Sequence, residues 1–440
     1  MSNSFRILAH YAVARGLRRW KTREELERWQ ERRIRRHVKR IRVQSAFYQE
    51  WWDGLSASEW RQFPQIDKSI MMQHFDTLNT VGITKEEALF LAGESEETRD
   101  FGQSSIQGVT VGLSSGTSGN RGIFLVSDRE QDAWTGTVLA KLLPGGLWKP
   151  AKIAFFLRAN SNLYESVKRG KLQFQYFDLL ERVEILVERM EQYQPTVWVA
   201  PPSMLRMLAD AYLQGRLTHV PHKIISVAEV LDPLDRNVLE RVFQQTVHQV
   251  YQCTEGFLGA SCEHGTIHLN EDIVHIEKEY IDPATRRFVP VITDFSRTSQ
   301  PIIRYRLNDI LTEAAEPCAC GSLFTAIERI EGRCDDTLYF SHAHEGIEVS
   351  VFPDFISRAV IAASPSIEHY RVVQRGSGVL EVSMRISEEA DHEQVQASVL
   401  RELKKLAERL DCTLPEVHFV PYTFEAGITK LRRVERRLGE

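Results

Sequence analysis

The 440-residue chain contains no apolar run long enough to span a bilayer. The short apolar segment in MSNSFRILAHYAVARGLRRW is broken by Arg6 and His10, and it lacks the basic, apolar, small-residue order of a signal peptide. Cysteine is scarce: six residues are too few and too scattered for a disulfide framework in a chain this long. These features predict a cytoplasmic location with no membrane span. No internal repeat or low-complexity tract occurs. An excess of positive charge is also missing: the formal net charge of −5 argues against a nucleic-acid partner. Two common phosphate-binding signatures are absent as well. No glycine-rich loop carries Lys-Ser/Thr at Walker spacing, and there is no GxGxxG fingerprint.

What remains is ordinary for a soluble globular protein, with 42% hydrophobic and 26% charged residues. The length implies two or three domains. Charge is uneven, because Arg15 to Arg42 is crowded with Arg and Lys. Residues 1 to about 60 read as a helical extension. Thr22 is a cap candidate there, and Leu26, Trp29, Ile34, Val38 and Ile41 approximate a helical stripe. The basic run is either a contact for an anionic partner or a solvated face. The balancing glutamates favour the solvated face.

Ala88 to Gly108 is polar and reads as a connecting segment. Beyond it, strands and helices alternate. Strands are expected at Lys152–Ala159, Thr196–Ser203, Lys223–Ala228 and His248–Gln252, with helices between them. That alternation predicts an α/β fold with a mainly parallel sheet. Ligands on such sheets sit at the carboxyl ends of strands, where Ala228-Glu229 and Tyr251 to Glu255 fall. After about residue 260 the pattern becomes strand-rich and suggests a barrel-like subdomain. A small α+β domain is expected over 337–440, following a large domain over 1–336.

The most distinctive stretch is LSSGTSGNRGIFL, Leu113 to Leu125. Ser114, Ser115, Gly116, Thr117, Ser118 and Gly119 pack hydroxyls and glycines into one loop. Successive backbone N–H groups in such a loop make a concavity for an anion, and the hydroxyls add donors. A flexible surface loop is an equal reading of the composition alone.

Other segments carry weaker signals. In YQCTEG, Glu255 beside Thr254 could hold Mg²⁺ and touch phosphate, or the segment could be a surface turn. Asp309 in PIIRYRLNDI could accept both ribose hydroxyls or simply end a turn. The string IEGRCDDTL is, by itself, a turn with a salt-bridge option. The tail FEAGITKLRRVERRL reads as a solvated basic helical end. Cys318-Ala-Cys320, with Cys262 and His268, would complete a tetrahedral Zn²⁺ shell. His264 competes as the fourth ligand, and four unrelated reduced residues are the plainer reading.

Taken in order, these segments resemble the adenylate-forming enzymes, specifically the phenylacetate–coenzyme A ligase-like branch. SSGTSGNRG resembles their phosphate loop, with Arg121 where many members carry Lys. The resemblance implies that Ser114 to Gly119 and Arg121 hold the triphosphate of ATP. Glu255 would be the magnesium ligand and Thr254 a phosphate contact in a Tyr251-to-Gly256 segment, where Gln252 replaces a usual glycine. Ala228 and Glu229 resemble the pair lining the adenine. Asp309 would bind ribose, with Asn308 in place of glycine before it, and Arg333 would reach ribose or phosphate. Asp335 or Asp336 would be the hinge of a mobile small domain. Lys430 lies in the frame Gly/Ser-x-Lys-x-x-Arg-Val and would act in catalysis, although Thr429 replaces the usual glycine. The branch also has a similar Cys/His arrangement, which favours structural zinc on Cys262, His268, Cys318 and Cys320.

The implied reaction joins ATP and a carboxylic acid, aromatic in this branch, into an acyl-adenylate and pyrophosphate. Phe155, Phe156 and Tyr251 are candidates for lining the acid pocket. A thiol, coenzyme A or a carrier protein, or else an amine, would capture the acyl group. A non-catalytic nucleotide-binding module is the competing class, and the joint presence of Glu255, Asp309, Arg333 and Lys430 argues against it. The assembly state is open, with a dimer among the options.

Overall fold

The computed structural model describes residues 3–17, 20–102, 104–114, 121–147, 149–157, 171–376, 378–423 and 431–437. The chain divides into two compact units. The first takes Met1–Ala228, Leu239–Leu307 and Thr312–Arg329; the second takes Glu229–Val238, Asn308–Leu311 and Ile330–Glu440. No helix among the described residues is long and apolar enough to cross a membrane.

In the first unit, the basic helix Arg23–Gln44 starts where Thr22 accepts the N–H of Glu25 at 3.3 Å. Leu26, Ile34, Val38 and Ile41 are fully buried, while Arg28, Arg32, Arg36 and Lys39 face solvent. Gln30 is buried as well: its amide donates to the Glu271 carbonyl at 2.7 Å. Ahead of this helix, Asn3–Ala12 packs on helix Asp128–Leu142 at Gly136. A Cβ there would lie 2.5 Å from the Ile7 carbonyl, so only glycine permits the approach.

One expectation fails early. Lys85–Thr98 is a helix, not a connecting segment. Its polar composition hid a capping box in which Thr84 and Glu87 exchange bonds, and only the small Ala88, Ala92 and Ser95 are buried.

Strands β1 (Ser105–Ile106), β2 (Val109–Leu113) and β3 (Ile123–Ser127) form a three-stranded sheet, with the glycine-rich loop between β2 and β3. The main sheet begins with β4 (Ala151–Leu157), β5 (Leu172–Asp178), β6 (Val197–Ala200), β7 (Lys223–Ser226) and β8 (Val247–Cys253). These run parallel in the order β5-β4-β6-β7-β8, as the alternation of apolar runs and helices predicts. Strand β5 is not among the expected strands, because polar Gln173 and Gln175 interrupt its apolar run. One sheet face buries Ile153, Val197, Val199 and Ile225 with Ile7 and Leu139.

Antiparallel strands continue the unit: β9 (Gly256–Ser261), β10 (Ile267–Leu269), β11 (Val274–Asp282), β12 (Arg287–Asp294) and β13 (Ile302–Arg306). Strands β14 (Asp309–Glu313) and β15 (Ala326–Arg333) each run across a unit boundary in sequence.

The second unit adds β16 (Leu338–His342), β17 (Glu348–Val351), β18 (Ile367–Arg375), β19 (Val379–Ile386), β20 (Cys412–Thr413), β21 (Glu416–Val420) and β22 (Val434–Arg437). One sheet runs β21-β19-β18-β22, and helices Pro353–Ala363 and His392–Arg409 pack around the core of Val360, Tyr370, Val382, Leu403 and Val434. The basic tail is therefore a strand where it is described, not a helical end. Val434 opposes Val372 in parallel register, and Glu435 gathers Arg371, Arg432 and Arg437 around it. Tertiary pairing overrides the charge pattern here.

Candidate functional site

The stem of the glycine-rich loop is closed by two bonds of Ser114. Its N–H donates to the Gly122 carbonyl at 2.7 Å, and its Oγ accepts the Gly122 N–H at 2.7 Å. Ser115, Gly116, Thr117, Ser118 and Gly119 lie outside the described residues. Arg121 is exposed and holds the Glu96 carboxylate through both terminal nitrogens, while its Nε donates to the Ser114 carbonyl at 3.1 Å. A second cation stands beside it. A Cβ on Gly122 would lie 3.1 Å from Lys68 Cε and 3.6 Å from Ser114 Oγ. The stretch PQIDKSIM around Lys68 resembles the start of the family, but it gives Lys68 no role; the local signal is Asp67, which caps the helix Lys68–Gln73 by accepting the Ile70 N–H at 2.9 Å.

Thr254 and Glu255 form the turn from β8 to β9. Glu255 is only 9% exposed. Its Oε1 accepts the Tyr305 hydroxyl at 2.8 Å and its Oε2 accepts the Thr254 hydroxyl at 2.9 Å. Both donors are neutral, and no described cationic side chain bonds this carboxylate. A buried carboxylate without a cationic partner has room for a cation. The Thr254 proton points at Glu255 here, so a phosphate contact by this hydroxyl requires it to turn.

Arg297 ties the two loops together. Its guanidinium donates to the Thr254 carbonyl at 2.6 Å and to the Leu125 carbonyl on β3 at 3.0 Å. Gln300 donates to the Ile123 carbonyl at 2.9 Å and accepts the Leu125 N–H at 3.0 Å. In sequence, the segment from Arg297 to Ser299 signals only a turn. Buried Asp294 stands close by: its Oδ2 would be 3.1 Å from a Cβ on Gly256, and burial raises its pKa above the usual carboxylate range.

Ala228 closes the first unit's central segment with φ of +66°, a left-handed conformation that is unfavourable for a residue with a Cβ. Tyr251 is buried on β8. Glu229, Asp309, Arg333, Asp335 and Asp336 belong to the second unit. Glu229 Oε1 accepts the Leu431 N–H at 3.1 Å. Asp335 accepts the Asn308 amide at 2.5 Å, and Cys334 N–H donates to the Asn308 carbonyl at 3.0 Å. That turn also sets Asp309 at the start of β14. Asp336 is buried and pairs with Arg432, while Arg333 ends β15. Lys430 lies outside the described residues, immediately before this anchored segment.

Cys262, His268, Cys318 and Cys320 place one donor atom each within 4.8 Å of one another. Cys262 Sγ is 3.7 Å from Cys318 Sγ, and Cys320 Sγ is 3.3 Å from His268 Nε2. In a tetrahedral shell with ordinary Zn–S bonds, sulfur–sulfur separations are about 3.8 Å. His268 Nδ1 lies 3.1 Å from the Phe324 carbonyl, which fixes the ring and leaves Nε2 facing the sulfurs. The Cys318 thiol is pulled down to about 6, first by the Cys320 N–H and then by the Thr266 side chain. His264 is exposed and paired with Glu263, outside this group.

No family model matches the chain. By sequence it is similar to the phenylacetate-coenzyme A ligase of Thermus thermophilus, 29% identical over 131 residues that make up 28% of each chain. It is also similar to Protein CapK of Staphylococcus aureus, 24% identical over 229 residues, 51% of this chain and 49% of that one. These matches span 28% and 49% of the curated relatives' own lengths. The fold matches a crystal structure of 2-hydroxyisobutyryl-CoA ligase in the postadenylation state with 2-HIB-AMP, at a TM-score of 0.72 and 17% identity, covering 95% of this chain and 90% of that one. The chain shares the fold of this ligase. Its sequence likeness lies with the phenylacetate–coenzyme A ligase-like branch. A further structure of similar fold is the amide bond synthetase McbA from Marinactinospora thermotolerans, with a TM-score of 0.51 and 14% identity over 71% of this chain and 66% of that one.

On the main sheet, the two neighbouring phenylalanines of β4 separate. Phe155 is half-buried on the face of the Ile153 cluster and tilts against Phe174 at 5.5 Å. Phe156 points to the opposite face, is fully buried and stacks on Phe177 at 4.6 Å. Strand periodicity forces this split, so Phe156 is core and leaves the set of pocket candidates.

Proposed function

We propose that this protein activates a carboxylic acid with ATP, releasing pyrophosphate, and transfers the acyl group from the adenylate to a thiol such as coenzyme A or a carrier protein. The observation that carries the reading is Glu255, a buried carboxylate that, among the described residues, is bonded by two neutral hydroxyls and no cation. Such a group suits Mg²⁺, which neutralises phosphate charge when bound. The Ser114 to Gly119 loop cradles the triphosphate, with Arg121 and Lys68 as its cations. Ala228 and Glu229 flank the adenine, Asp309 accepts the ribose hydroxyls, and Arg333 meets ribose or phosphate. The acid's carboxylate attacks the α-phosphorus in line, and Lys430 supports the charge that develops there. The domain over 337–440 then turns about Asp335-Asp336 to admit the acceptor.

An aromatic acid is the substrate class that the resemblance to the phenylacetate–coenzyme A ligase-like branch favours, with Phe155, which tilts against Phe174 at 5.5 Å, as a candidate lining residue. The like fold of a coenzyme A ligase solved with coenzyme A supports a thiol acceptor. That of an amide bond synthetase keeps an amine acceptor as the second reading.

The test is pyrophosphate release across a panel of acids, with and without coenzyme A. ATP-dependent release with an aromatic acid, followed by loss of free thiol, is expected. No release with any acid would leave only a nucleotide-binding module. For the cysteine group, metal analysis of reductively purified protein should find one zinc per chain. Cys320→Ser should lose most of it. A wild-type chain free of zinc would remove that assignment.

A further inference from the structure

Tyr305 lies in PIIRYRLNDI, where Asp309 is the residue given a candidate role, yet its own hydroxyl ends on the carboxylate that would hold the divalent cation. The contrast with Tyr48 is instructive. Tyr48 is equally buried, and its hydroxyl settles on a backbone carbonyl, that of Pro301, at 3.1 Å. Tyr305 instead gives its proton to Glu255 Oε1.

The backbone is bent to achieve this. Along β12 the register advances from Ile292 to Asp294, while along β13 it runs from Tyr305 to Ile302, so β13 carries one extra residue. The bulge coincides with Arg304, whose φ is +47°. A residue with a Cβ is strained in that region. The bulge is held from outside the hairpin. Ile66 donates its N–H to the Arg304 carbonyl at 3.1 Å and accepts the Arg306 N–H at 2.8 Å, forming a bridge beside Tyr305. The Arg304 side chain pairs with Glu277 at 3.0 Å and donates to the Phe63 carbonyl. Bulges of this kind re-aim a side chain, and this one aims Tyr305 at Glu255.

We propose that Tyr305 is a positioning residue, whose hydroxyl fixes the Glu255 carboxylate for the divalent cation that accompanies ATP. This rests on Glu255 as the metal ligand. With Tyr305 on Oε1 and Thr254 on Oε2, the carboxylate plane is set from both sides, and its remaining lone pairs face the cation. Losing a group that orients a metal ligand typically costs about 10- to 100-fold in metal affinity.

The experiment titrates Mn²⁺ into full-length protein saturated with a non-hydrolysable ATP analogue, reading bound metal by electron paramagnetic resonance. Tyr305→Phe keeps the ring and removes the hydroxyl. Its Mn²⁺ dissociation constant should rise about 10- to 100-fold, while binding of the analogue without metal and the melting temperature stay near wild type. Wild-type Mn²⁺ affinity in Tyr305→Phe, with affinity lost in Glu255→Gln, overturns the proposal and leaves Glu255 as the ligand. Unchanged affinity in Glu255→Gln as well overturns the assignment of Glu255 on which the proposal rests.

Discussion

Lys430→Ala should slow acyl-adenylate formation by about 10²- to 10³-fold, the usual loss when one group that stabilises developing charge is removed. Transfer from preformed acyl-adenylate to the acceptor should stay close to the wild-type rate. The sequence frame around Lys430 runs directly into a firmly held segment. Four consecutive residues after Lys430 are fixed: Leu431 N–H bonds Glu229, Arg432 pairs with Asp336, Arg433 pairs with Asp235, and Val434 enters β22. Single-turnover measurement of the two half-reactions separates the outcomes. Equal loss in both would remove Lys430 from the adenylation step.

The other large effect concerns stability. Arg433 and Asp235 form a bidentate pair, with Nη2 donating to Oδ1 at 2.6 Å and Nε to Oδ2 at 3.2 Å, and side chains 7% and 0% exposed. Arg433 also donates to the Tyr370 carbonyl at 3.2 Å and lies over the Tyr370 ring, while the Tyr370 hydroxyl donates to Asp232 at 2.6 Å. Arg433→Met leaves Asp235 buried without its cation beside Asp232, whose own pKa is already raised by burial. Breaking a buried pair on one side costs about 3–5 kcal/mol. Chemical denaturation should show that loss, and adding Asp235→Leu to Arg433→Met should recover most of it. A loss below about 1 kcal/mol, the range of exposed pairs, would mean that water reaches this pair.

How much of this was legible in the sequence depended on range. The parallel sheet was readable because β4, β6, β7 and β8 are short apolar runs with helices between them, a local signal. The helix Arg23–Gln44 was readable from its stripe and its Thr22 cap. The cysteine–histidine group was readable as a set, and the structure chose His268 over His264 because His268 sits among the sulfurs with a carbonyl to orient its ring. What escaped was long-range. β22 is a strand because β18 pairs with it, β5 because β4 does, and neither fact is written locally. Lys68, Arg297 and Tyr305 come from distant parts of the chain, in segments whose own composition says only capped helix, turn and strand. The helix Lys85–Thr98 was a different failure: its capping box was present in the sequence and was outweighed by its polar composition.

The cysteine–histidine group also acts on the unfolded chain. Cys262 and Cys318 are 56 positions apart, as are His268 and Phe324. The segment between the two cysteines contains β12, the Arg297 turn, the bulge at Arg304 and Tyr305. A bound zinc would turn that stretch into a closed ring before it folds. By chain-entropy reasoning, closing a loop of that size removes disorder worth about 4 kcal/mol from the unfolded ensemble. The strained Arg304 backbone would then be set within a segment whose alternatives have already been thinned. A metal that never touches ATP would thereby help decide whether Tyr305 reaches Glu255 at all.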